Sequence, residues 1–198
     1  MSAFPSISPN GVEWQLISNT QSFTSPLDKT VQTLELPGAR WMATLSFNNL
    51  TDADARILLA FLAALRGQSG RFTMHDHSHP TPSGIATGTP LVAGASQTGG
   101  TLVTDGWTPS QTGILKAGDY LGVNGELHMV IADADSDVSG NATFSIEPPL
   151  RASPADNAAI TVNSPTATFR LMDDGQARWK ATPGYINSMT ISCIESFT

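Results

Sequence analysis

The sequence predicts a mainly β protein with one α-helix and a small β-barrel domain inserted into its main β framework. Three observations lead there. Of the 198 residues, only the stretch Thr51 to Arg66 repeats apolar side chains at helical spacing. Short runs of strand character recur on both sides of it, divided by Gly, Pro, Asn and Asp. The chain has 17 Gly and 13 Pro but only 14% charged residues, the composition of a β-rich protein with many turns.

The helix is well marked at both ends. Thr51 can cap the first turn, Asp52 and Asp54 put negative charge where the helix dipole is positive, and Arg66 and Gly67 mark the end. Ile57, Leu58, Phe61, Leu62 and Leu65 fall on one face, which needs a sheet to lie on. The back carries Leu59, Ala60, Ala63 and Ala64 where a solvated helix carries Lys and Glu. Either Ala simply tolerates water there, or a second subunit lies against that side.

Taken in order, Met1 to Gly11 reads as an irregular arm of the kind a neighbour orders. Val12 to Ile17 is a short strand, followed by a polar loop with Pro26 and a second strand from Thr30 to Leu36. Pro37-Gly38 then predicts a tight turn into a third strand, Ala39 to Asn48, where Trp41, Ala43, Leu45 and Phe47 alternate with Met42, Thr44 and Ser46. Trp41 reads as a core ring, with an interface position as the alternative. Arg71 to Met74 is a strand after the helix, and 76–89 reads as a connector.

Beyond it, Thr101 to Thr104, Asp119 to Val123, Leu127 to Ile131, Thr143 to Ile146 and Ala159 to Val162 are short strands without a helix, which suggests a small barrel. Gly106 and Pro148-Pro149 are read among its separators, and Asn124-Gly125 is a strong hairpin signal. Ala167 to Met172 and Gln176 to Lys180 flank Asp173-Asp174-Gly175 as a further hairpin. Tyr185 to Phe197 alternates imperfectly enough to imply a bulge. The expected organisation is an outer domain from 1–75 and 166–198 with a barrel inserted at 90–165.

The formal net charge is −7, with only three lysines and no basic run, which disfavours gripping phosphates or an acidic membrane. The single cysteine, Cys193, excludes an internal disulfide and reads as a small buried residue. No stretch approaches the ~20 apolar residues of a membrane span, and no basic-then-apolar leader opens the chain. Assembly in the cytoplasm, or exit by a route needing no leader, is expected.

His75-Asp76-His77-Ser78-His79 is the one cluster that invites chemistry. Three imidazoles and a carboxylate could ligate a divalent ion, yet Pro80 and the turn residues beyond it favour a loop with incidental histidines. A metal bridging subunits is the stronger form of the minority reading. Asp133, Asp135 and Asp137 resemble the start of a calcium loop, but Gly140 falls too late and Glu147 sits in a strand, so a solvated turn is expected. No nucleophile elbow, phosphate loop or dinucleotide fingerprint occurs. No catalytic, cofactor-binding or metal-ligating residue is therefore assigned, and a non-enzymatic protein without a cofactor is expected.

Phe23-Thr-Ser-Pro-Leu27, Gln32, Pro37-Gly-Ala-Arg-Trp41, Leu62-Ala-Ala-Leu-Arg-Gly67 and Gly70-Arg-Phe72, in that order, resemble the first half of the distal tail proteins of long-tailed bacteriophages. Lys116-Ala-Gly-Asp-Tyr-Leu121, Ser139-Gly-Asn-Ala-Thr-Phe144 and Glu147-Pro-Pro-Leu-Arg151 resemble the insertion of the same group. The resemblance implies a tail-tube-like β-sandwich with a helix and an outward barrel. It also implies a virion protein of the tail tip whose copies form a ring, typically hexameric, between the tail tube protein and the tail hub and receptor-binding proteins. DNA would pass through the lumen without specific binding, and an acidic balance suits such a channel. Two other readings compete with this one. A carbohydrate-binding tail module would use Trp107 and Tyr120 of the barrel as stacking platforms, and a metal-dependent hydrolase would use the His75–His79 cluster.

Overall fold

The computed structural model describes residues 2–182 and 186–197. In chain order the strands of the first half are β1 (Ser2–Ala3), β2 (Gly11–Ile17), β3 (Thr20–Thr24), β4 (Val31–Glu35) and β5 (Arg40–Leu50). The helix α1 (Asp52–Leu65) and β6 (Phe72–Met74) follow. Then come β7 (Gly88–Val92), β8 (Gly99–Trp107), β9 (Tyr120–Val123), β10 (Glu126–Val130) and β11 (Ala142–Leu150). The chain ends with β12 (Ala167–Leu171), β13 (Trp179–Thr182) and β14 (Ile186–Glu195). The protein is mainly β with one α-helix among the described residues.

The larger sheet runs β1-β6-β12-β14-β5-β2, with β13 beside β14. Its spine is β5. Trp41, Ala43, Leu45 and Phe47 point into the core while Met42, Thr44 and Ser46 stay half-buried on the other face, as the period of two requires. The Trp41 ring is buried, so the core reading holds. The expected bulge lies in β14, whose register against β5 shifts between Asn187 and Met189. Tyr185, the expected start of that strand, lies outside the described residues.

Helix α1 covers the core side of this sheet. The Thr51 side chain accepts from the Asp54 N–H at 3.1 Å, and Arg66, at φ +53°, ends the helix by donating its N–H to the Ala63 carbonyl. Ala55, Leu58, Leu62 and Leu65 are buried. Ile57, expected on this face, is 51% exposed, because the sheet covers the helix from one side only and the apolar stripe is narrower than the sequence suggests.

Four expectations are corrected in this half. The arm is ordered by its own chain: β1 pairs in parallel with β6, and the Phe4 ring packs against Phe47, Phe61 and Phe72. The segment read as a polar loop contains β3, and β4 pairs with β3 rather than with β5. Pro37-Gly38 is consequently a corner, since β5 takes β2 as its partner and Leu36 N–H bonds to the Asn19 carbonyl at the hairpin base. At Asp173-Asp174-Gly175 the chain forms no hairpin: Asp173 caps a short 3₁₀ turn, Asp174–Gln176, and β12 pairs with β6 and β14 while β13 pairs with β14.

The second sheet runs β7-β8-β11-β10-β9 and curls into a half-barrel. Asn124 and Gly125, at φ +53° and +77°, form the expected tight turn between β9 and β10. Gly106 does not separate strands: β8 runs through it, and a side chain there would meet the Thr89 carbonyl at 2.3 Å. Pro148-Pro149 likewise lies inside β11, and β7 begins within the segment read as a connector. Ala159 to Val162 forms no full strand. Instead Ala159 bridges to Leu91 in β7 and Thr161 to Gly122 in β9, so this segment spans the two edges of the curled sheet.

Each sheet has its own apolar core. The first includes Trp41, Phe47, Phe72 and Phe169 together with α1; the second includes Leu102, Trp107, Phe144 and Ile146. Tyr120 and Leu127 of the half-barrel belong to the first core, so the two sheets are packed together.

Candidate functional site

Three places concentrate chemistry or unpartnered surface. The first is the β3–β4 hairpin. Among the described residues it pairs with no other strand, and all ten of its strand residues are exposed. Residues opposite each other across the pair share a face, so Gln21 and Leu34, Phe23 and Gln32 stand on one side. Phe23, Leu27, Val31 and Leu34 are between 58% and 95% exposed. A lone two-stranded hairpin is marginal in water, and concentrated apolar exposure on one marks a contact surface. Its tip is locally braced: the Asp28 carboxylate accepts from the Thr30 N–H and hydroxyl, and the Ser25 and Thr30 hydroxyls hold its pKa below the usual carboxylate value.

The second is the junction between the sheets, centred on Arg151 at the end of β11. Its guanidinium pairs with Glu195 of β14, lies 3.7 Å through Nε from a Glu126 oxygen and stacks 4.2 Å above the Phe197 ring. The other Glu195 oxygen accepts from the Trp41 N–H at 3.0 Å, and the Trp41 indole donates to the Leu127 carbonyl at 2.9 Å. Glu126 accepts from the N–H groups of Arg151 and Ala152. His128 is fully buried beside this network. Its Nδ1 is 2.6 Å from the Pro148 carbonyl, and its Nε2 lies 3.5 Å from Glu126 without a hydrogen bond. Burial pushes the His128 pKa down, against the pull of the Pro148 carbonyl and Glu126. Next to the junction, Leu36, Pro37, Pro148, Pro149 and Phe197 line an open cleft of about 640 Å³.

The third is the histidine segment after β6. His75 and His77 stand with ring centroids 4.5 Å apart. His79 turns away, its Nδ1 placed 3.2 Å from Asp76 and 3.1 Å from the Ser78 hydroxyl. Both contacts fall on the same ring nitrogen, so Asp76, His79 and Ser78 do not form a relay, which needs one partner on each nitrogen. Burial holds His75 and His77 below the ordinary histidine value, with His75 adding to the effect at His77.

The remaining sequence candidates have structural roles. Asp133, Asp135 and Asp137 do not converge on a common point. Their carboxylates accept from the N–H groups of Ala117, Gly113 and Ser139 respectively, holding successive loops of the half-barrel. The Trp107 and Tyr120 rings are only 3% and 6% exposed, so neither offers a face to a sugar ring. The Trp107 indole donates to Thr104, and Tyr120 packs edge-on against Trp41 at 5.6 Å. Cys193 is buried and its thiol is pushed up to about 12, which leaves it inert. The Asp119 carboxylate is opposed by burial, yet it accepts from the N–H groups of Lys116, Ser83 and Gly84 and stays below its usual pKa. It fastens the segment before β7 to the half-barrel.

Sequence reading missed the hairpin and the junction. The alternating Thr-Gln-Ser-Phe-Thr and Val-Gln-Thr-Leu-Glu runs around Pro26-Leu27-Asp28 carried the hairpin signal. Arg151 and Glu195, 44 residues apart, carried none. No helix of the described residues is long and apolar enough to cross a membrane. Compared with models of known protein families and with curated protein sequences, the chain matches none.

Proposed function

We propose that this chain is a virion structural protein of a phage tail tip, the subunit of a ring that joins the tail tube protein to the tail hub and receptor-binding proteins. The observation that carries the reading is the β3–β4 hairpin, which projects apolar side chains and has no further partner strand among the described residues. Such a surface belongs to a subunit that finishes its packing on a neighbour.

Two further features support a ring over a symmetric pair. Among the described residues the larger sheet ends on one side in β2, a seven-residue strand paired only with β5, and on the other in β1 and the short β13. Unlike edges, and a hairpin without a like partner, suit a head-to-tail contact, which closes into a ring when the rotation permits. Thr44, Ser46, Thr190 and Ser192 form an uncharged polar strip along β5 and β14 on the outer face of that sheet, bordered by Glu13 opposite Thr44 and Arg170 opposite Ile194, and the chain as a whole is acidic. Both suit a wall past which DNA slides without being held. The ring is hexameric in this reading, assembled in the host cytoplasm, and it involves no catalysis.

Negative-stain electron microscopy of the concentrated chain, alone and co-expressed with its tail tube protein, tests this. Closed rings with a central opening are expected; single particles of one chain under both conditions would contradict the reading.

A further inference from the structure

We infer that His75 and His77 form a two-imidazole clip for one divalent transition-metal ion. His75 follows β6 and His77 opens the turn at 77–78, half-buried on the same side of the chain as His75, and the two rings stand 4.5 Å apart at 48°. Imidazole nitrogens bind such ions at about 2.0–2.1 Å, so two rings in adjacent positions on one ion sit about 4.5–5.5 Å apart, centre to centre. The observed spacing falls in that range.

The neighbours define which groups take part. His77 Nε2 is buried and accepts or donates no hydrogen bond among the described residues. Phe4 meets the His77 ring edge-on at 5.7 Å and limits its rotation. Asp76, between the two histidines, is buried on the other side and engaged by Ser78 and His79. His79 is thereby committed to Asp76, so the third histidine of the motif is not a third ligand. Among the described residues no group of three His, Cys, Asp or Glu side chains is arranged around a common ion. The clip is therefore bidentate, and water or a group from another molecule completes the coordination. All-nitrogen donors of this kind suit copper, nickel and zinc over calcium or magnesium.

Calorimetric titration of Ni(II) into the purified chain, free of any affinity tag, tests the clip. One saturable equivalent per chain is expected. It should be lost in His75→Ala and in His77→Ala and retained in His79→Ala, with circular dichroism confirming that each variant is folded. If His77→Ala disturbs the packing on Phe4, His75→Ala decides alone. No saturable binding, binding that survives His75→Ala, or binding that depends on His79 would overturn the inference.

Discussion

Arg151 and Glu195 form an ion pair that joins the half-barrel to the larger sheet, with Glu195 only 2% exposed and its second oxygen capping the Trp41 N–H. Removing one partner of such a pair leaves a charge stranded. Arg151→Met is therefore expected to destabilise the protein by about 2–4 kcal/mol, part of the full penalty being relieved because Arg151 retains contact with water. The double variant Arg151→Met/Glu195→Gln should recover a substantial share of that loss. Urea unfolding of the two singles and the double gives the coupling; strictly additive losses would show that the two groups do not act as a unit.

His128 gives the junction a pH dependence of defined sign. Its folded pKa lies below the ordinary histidine value, so as pH falls through about 6.5 the unfolded chain takes up a proton that the folded chain refuses. Stability should fall over that interval and stop responding to this group once pH passes below its lowered folded value. His75 and His77 shift in the same direction, so the contribution of His128 is read as a difference between proteins. His128→Asn, which can keep the bond to the Pro148 carbonyl, should show a shallower loss between pH 7 and 5 in thermal unfolding. An unchanged slope would remove His128 from the account.

The helix separates two neighbours sharply. Leu58 is fully buried under the sheet and Ile57 faces outward. Leu58→Ala should cost about 2–5 kcal/mol, while Ile57→Ala should change the stability of the isolated chain by no more than about 0.5 kcal/mol. Chemical denaturation measures both, and comparable losses would mean that the back of the helix is covered within the chain.

Local chemistry made part of the fold legible. The Thr51 cap, the alternation through β5, the Asn124-Gly125 turn and the bulge in β14 each follow from a few adjacent residues. Strand partners did not. Pro37-Gly38 has the residues of a hairpin turn, but β4 pairs with β3, and a turn sequence does not report which strand its flanking strand takes as partner. Pro148-Pro149 looked like a break because proline cannot donate to a ladder. β11 accommodates the pair where its pairing with β8 is interrupted, between Ser145 and Leu150. For the candidate sites, the histidine motif was visible as composition, yet only the backbone turn at 77–78 decides that His75 and His77 stand together while His79 joins Asp76.

The central claim, that the β3–β4 hairpin is an assembly surface between copies of this chain, is tested most directly by light scattering after size exclusion across a range of concentrations. The wild-type chain is expected to give a closed oligomer, six chain masses for a hexamer, and Phe23→Ser/Leu34→Ser a folded single chain. A wild-type protein of one chain mass at every concentration, or an oligomer unchanged by the double substitution, would contradict it.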